Sequence, residues 1–154
     1  ENREAFNAML IRDIGKLIAK AKKKNMIPCV RLNGTSDLPF YNLTEAMEVF
    51  PHVQFYDYTP NAGRMIQFLR GELPANYHLT FSKKENNDAM VELIANMGGN
   101  VAVVFNKLPE TYLGKPVING DENDLRFLDP KGCIVGLKAK GKAKHDKSGF
   151  VVTI

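Results

Sequence analysis

Val101-Ala102-Val103-Val104-Phe105 is a run of five apolar residues, held between Gly98-Gly99-Asn100 and Asn106-Lys107. A run so short and so rich in β-branched residues predicts a strand, and one apolar at every position is buried on both faces. Such strands belong to parallel sheets covered by helices. Outward from this run the pattern alternates.

Upstream, Met90, Val91, Leu93, Ile94 and Met97 make one face of a helix that Asn86 or Asn87 caps and Gly98-Gly99 closes. Tyr77 to Phe81 reads as the strand before it. Earlier still, Met65, Ile66, Phe68 and Leu69 form a helical stripe with Thr59 expected as N-cap, Pro60 at the first helical position and Gly71 as exit. Val53 to Tyr56 is the preceding strand. A short helix carrying Leu43, Ala46, Met47 and Phe50 ends at Pro51, and Ile27 to Leu32 is the first strand. The chain opens with an amphipathic helix whose Phe6, Met9, Leu10, Ile14, Leu17, Ile18 and Ala21 recur at three- and four-residue spacing. Lys22-Lys23-Lys24 ends it, where cations suit the helix dipole.

Downstream the periodicity fades. Residues 106–132 read as a long loop rich in Pro, Gly, Asn and Asp, with Pro116-Val117-Ile118 as a small edge strand. Ile134 to Leu137 is a further strand, and Phe150 to Ile154 is expected to pair with it as an antiparallel hairpin. The expected fold class is therefore α/β: one domain over residues 1–154, with a mostly parallel sheet of about five to six strands in an open or partial-barrel architecture.

Composition narrows the class. The chain has 154 residues, 44% apolar and 25% charged, enough for one core without a disulfide or metal staple. No apolar run approaches the ~20 residues of a membrane span, so no membrane partner is expected. Cys29 and Cys133 each sit in an apolar run and read as buried strand thiols of a reducing compartment, the cytoplasm. The first residue is Glu and nothing resembles a signal peptide, which leaves room for an N-terminal segment that this sequence does not include. Net charge is +4, and lysines crowd the last part of the chain.

Ligands of parallel α/β folds bind beyond the carboxyl ends of the strands. The residues there are polar: Asn33, Thr35, Ser36 and Asp37 after the first strand; Asp57, Tyr58 and Thr59 after the second; Ser82, Lys83 and Lys84 after the third; Asn106 and Lys107 after the fourth; Lys138 and Lys140 after the last. Their chemistry suits a phosphate or nucleotide, although Asn, Ser, Thr and Asp also follow strands simply as caps and turn formers. Lys138, Lys140, Lys142 and Lys144 alternate with small residues, a pattern that lets a backbone track along phosphates. Asp121 and Asp124 offer hard oxygens to a divalent ion such as Mg²⁺ or Ca²⁺. No phosphate-cradling Gly-rich loop, zinc-ligand spacing or nucleophile elbow is present.

Two functions follow as expectations: an accessory protein that binds nucleic acid or a nucleotide at the strand ends, and a metal-assisted enzyme on a phosphorylated or nucleotide substrate.

The blocks Val30-Arg31-Leu32-Asn33, Ser36-Asp37, Phe55-Tyr56-Asp57-Tyr58-Thr59, Leu79-Thr80-Phe81-Ser82, Asp121 and Gly136-Leu137-Lys138-Ala139-Lys140-Gly141 resemble the phage gene product 88 family over most of residues 25–152. The resemblance implies a phage or mobile-element origin, hence the cytoplasm of a host cell, and no established activity; it adds a third expectation, an inhibitor that binds a protein of a host defence system. It also implies a strand-helix pattern similar to the partial barrel of radical SAM proteins. Family members often carry an upstream cysteine-rich segment, and this chain has no such cluster.

Overall fold

The computed structural model describes residues 2–154. The amphipathic periodicity at the start becomes α1 (Arg3–Lys23), which carries Glu4 in its first turn and Lys20, Lys22 and Lys23 in its last. The remaining helices are α2 (Phe40–Leu43), α3 (Ala46–Val49), α4 (Ala62–Leu69) and α5 (Asp88–Asn96). Strands β1 (Cys29–Val30), β2 (Gln54–Thr59), β3 (Tyr77–Ser82), β4 (Val101–Phe105), β5 (Thr111–Tyr112), β6 (Lys115–Asn119), β7 (Ile134–Lys138) and β8 (Val151–Val152) form an open, mostly parallel sheet. The class is the expected α/β, with eight strands instead of five to six. No helix among the described residues is long and apolar enough to cross a membrane.

The chain divides into two compact units, residues 1–57 with 71–78, and residues 58–70 with 79–154. In the first, β1 pairs in parallel with β2 through Cys29–Gln54 and Val30–Phe55. Ile14, Ala21, Phe40, Ala46, Met47, Val53, Phe55 and Tyr77 are buried there. The Asn76 amide donates to the carbonyls of Met47, Phe50 and Val53, tying the end of α3 to the chain entering β2. The Asn7 side chain takes the Thr44 hydroxyl at 2.6 Å and the Glu45 N–H, which anchors α1 to the start of α3. The single short helix expected before Pro51 is two helical turns, because Thr44 is extended between them and its hydroxyl accepts from the Ala46 N–H.

In the second unit β4 is the axis. β7 runs parallel along the whole of one edge, from Val101–Ile134 to Phe105–Lys138. The other edge is shared: β3 pairs at Val101 and Ala102, and β8 pairs in parallel at Val104 and Phe105. The antiparallel hairpin expected between β7 and the C-terminus is therefore replaced by a crossover. The chain leaves β7, makes a 3-10 turn over Gly141–His145, and returns on the far edge of β4.

Lys83 joins the two tenants of that edge. Its N–H donates to the Ala102 carbonyl, and its ammonium to the Gly149 carbonyl at 2.7 Å. Beyond β7 lies β6, again parallel, and a Leu113-Gly114 turn with both φ positive folds β5 back onto β6. Pro116 to Ile118 thus lies inside an inserted strand and β5 is the edge. The region lacked a readable period because its strands are short and half-buried.

The N-cap of α4 is also corrected. β2 runs on to Thr59, so the helix starts at Ala62, two residues later than expected, and Asn61 caps it by accepting from the Arg64 N–H. The Thr59 hydroxyl takes the Asn61 N–H instead.

Gly136 sets how closely β6 and the loop after β4 approach β7. A Cβ there would lie 2.7 Å from Val117 Cγ1, 2.8 Å from Leu108 Cδ2 and 3.2 Å from the Ile118 carbonyl oxygen. Gly136→Ala is expected to destabilise by about 1–3 kcal/mol through overpacking, read from the midpoint of urea unfolding. His78 gives a pH signature. Burial lowers its pKa from the ordinary 6.5 to about 4, so the fold rejects a proton that the unfolded chain accepts. Its stabilising share is complete above pH 6.5 and is lost as pH falls towards 4. An NMR titration of His78 with a midpoint near 4, and a shallower acid loss of stability in His78→Asn, check this.

Candidate functional site

The polar residues after the strands separate by environment. Asn33, after β1, is 2% exposed, and Asp57, which with Tyr58 lies within β2 and not after it as expected, is 1% exposed. The Asp57 carboxylate accepts from the Asn33 N–H at 2.9 Å, the Asn33 amide at 3.0 Å and the Tyr77 hydroxyl at 2.7 Å. Asn33 Oδ1 in turn accepts from the Ser36 hydroxyl and the Leu38 N–H, and its amide donates to the Leu38 carbonyl. Asn33, Ser36 and Asp57 therefore shape the loop that also carries Asp37. Burial pushes the Asp57 carboxyl above the usual carboxylate range, opposed by the Tyr77 hydroxyl, the Asn33 donors and the charge of Arg31. Asn33 and Asp57 are inward, with their hydrogen-bonding groups taken up within the first unit, and Ser36 is exposed at the edge of the cluster.

The second unit differs. Ser82, at the end of β3, accepts through its carbonyl from the Asn87 amide. Lys83 is buried and holds Gly149, the Lys84 carbonyl and, at 3.2 Å, the Asp88 carboxylate, so it is a tether. Tyr58 donates to Asp124 at 3.2 Å. Asp121 has other partners: Oδ2 accepts from the Lys138 N–H at 2.8 Å, and Oδ1 from the Lys140 ammonium at 2.7 Å. Those bonds, the Lys140 ammonium first, hold the Asp121 carboxyl below the usual range. The two carboxylates expected as metal ligands thus serve different neighbours, and no group of three or more His, Cys, Asp or Glu able to hold a metal lies among the described residues.

What the second unit does assemble is a lysine cleft at the carboxyl ends of β4 and β7. The Ala139 N–H donates to the Phe105 carbonyl at 2.8 Å, which keeps the exits of both strands together. Lys107, Leu108, Asn119, Asp121, Lys138 and Lys140 line a cleft of about 540 Å³. Three lysines face one carboxylate. A smaller hollow of about 210 Å³ lies on the other side of Lys138, between Asn106 and the returning C-terminal chain. Lys142 is exposed on the intervening 3-10 turn.

Sequence reasoning reached Lys107, Lys138, Lys140 and Asn106 from their places after strands, but missed Leu108 and Asn119. Both lie in the aperiodic stretch, and nothing local shows that β6 sits beside β7. Arg126, two residues beyond Asp124, has a structural place. It is 1% exposed, its Nε is 3.4 Å from an Asp129 carboxylate oxygen, and it lies under Gly120, where a Cβ would be 2.8 Å from its Nη1.

Cys29, half-buried in β1, and Cys133, buried beside β7, are both free. Two thiols fall short of the four cysteine ligands of an iron–sulfur cluster.

Compared with known proteins, the family model described as Gene product 88 matches residues 1–154. No curated protein matches the chain, and no solved structure does.

Replacing the carboxylate at the centre of the saturated cluster separates structure from binding. Asp57→Asn keeps one acceptor oxygen for three donors and aims an amide at them, so it is expected to cost about 1–3 kcal/mol of stability, measured by chemical unfolding.

Proposed function

The chain belongs to the gene product 88 family, and from that premise we propose that it binds the sugar-phosphate backbone of nucleic acid in the lysine cleft at the carboxyl ends of β4 and β7. The observation that carries this reading is the imbalance of charge there: Lys107, Lys138 and Lys140 against Asp121 alone. That one carboxylate already accepts from the Lys138 N–H and the Lys140 ammonium, so it positions lysines more than it repels an anion. The Lys140 side chain is 74% exposed, and an ion pair so exposed is worth only about 0–1 kcal/mol. A phosphate can therefore compete for it. The cleft is open and lacks base-stacking aromatics in its lining, which favours contact with the backbone over reading of bases.

Binding of this kind releases counterions. With three phosphates neutralised, log K against log salt is expected to fall with a slope of roughly −2 to −3, slightly steeper for duplex than for single strand. Fluorescence anisotropy on a labelled 20-nucleotide strand and its duplex measures it. The triple variant Lys107→Ala, Lys138→Ala, Lys140→Ala is expected to weaken both complexes alike and flatten the slope by about 1 per lysine. Lys20→Ala with Lys23→Ala, on α1, is expected to change neither. Absence of binding at low salt by the wild-type chain defeats the proposal.

A further inference from the structure

We infer that the smaller hollow beside Lys138 is a pocket for a terminal phosphate monoester, the end of a phosphorylated strand or a free nucleotide; this rests on the anion-binding reading of the cleft and names its end group. The hollow is walled by four chain segments: the exit of β4 at Asn106, the exit of β7 at Lys138-Ala139, the 3-10 turn at Ala143-Lys144, and the returning chain from Asp146 to Thr153.

Its polar groups are almost all donors. Asn106 Oδ1 is occupied by the N–H groups of Lys107 and Ile154, each at 2.9 Å, so the amide has only its NH₂ to offer. Lys138 and Lys144 bring ammonium groups and Thr153 a hydroxyl. The one carboxylate in the wall is turned to its own loop. Asp146 Oδ1 accepts from the Ser148 hydroxyl at 2.6 Å and the Ser148 N–H, and Oδ2 accepts from the Val151 N–H. These bonds hold it ionised and fix the bend that brings the chain back to β8.

Size and charge choose among phosphates. A diester within a strand must enter and leave, and four walls around about 210 Å³ suit a group with one exit. A monoester also carries about −1.5 to −2 charges near neutral pH, so a wall whose two ammonium groups outnumber its one carboxylate attracts it more strongly than it attracts the single charge of a diester. Lys138 lines both spaces, so a strand lying in the cleft directs its end into the hollow. The two spaces then share one ligand: backbone in the cleft, end group in the hollow.

Anisotropy with 12-nucleotide strands that differ only in carrying a 5′-phosphate, a 3′-phosphate or hydroxyls at both ends tests this, with thymidine monophosphate as competitor and as direct ligand in calorimetry. One phosphorylated strand is expected to bind about tenfold more tightly than the hydroxyl-ended one. Lys144→Ala and Thr153→Val are expected to erase that difference while leaving the hydroxyl-ended strand and its salt slope unchanged, with thermal melts confirming that both variants fold. Equal binding of all three strands overturns the pocket and leaves the cleft standing. Binding of the monophosphate without binding of any strand keeps the pocket, assigns it a free nucleotide and overturns the cleft. If neither binds, both fall.

Discussion

The second unit depends on the hydrogen-bonding demand of β4. Every backbone N–H and C=O of a buried strand must find a partner, because an unpaired group away from water costs as much as a lost hydrogen bond. Val101, Val103 and Phe105 are fully buried, so both edges of the strand must be lined from end to end. β7 lines one edge completely. β3 reaches only the first part of the other, and the C-terminal chain supplies the remainder as β8. The bridge is the Lys83 ammonium on the Gly149 carbonyl. A buried lysine expected to meet a ligand is thus the clasp that lets a short tail complete a central strand.

The site follows from that solution. Completing β4 with β8 obliges the lysine-rich segment to cross over the carboxyl ends of β4 and β7. Its charges consequently gather there. The acids nearby are held by backbone, hydroxyl and lysine donors, Asp121 by Lys138 and Lys140, Asp146 by Ser148 and Val151. Their anchoring organises the rim and leaves a positive surface.

The first unit uses the same residue types in the opposite sense. Asn33 follows β1 and Asp57 lies within β2, yet both are packed inward with their hydrogen-bonding capacity filled by Tyr77, Leu38, Ser36 and one another. Position after a strand alone did not distinguish the two uses. Burial did, and burial of a loop residue depends on chain far away: Tyr77 lies 44 residues beyond Asn33.

What local chemistry could write into the chain was legible: β4 from its unbroken apolar run, α1 and α5 from their stripes, the exit at Gly98-Gly99, and a lysine-rich segment following β7. Each is governed by neighbours within a few residues. The two-residue strands β5 and β8, the parallel return to β4, and the shift of the α4 cap from Thr59 to Asn61 were decided by pairing with distant segments, whose register leaves no periodic trace in so few residues. The sequence by itself determined that an α/β fold would carry polar residues beyond buried strands. Only the tertiary structure decided which of them are sealed in and which line an accessible cleft, because burial and charge neutralisation are properties of residues brought together across the chain.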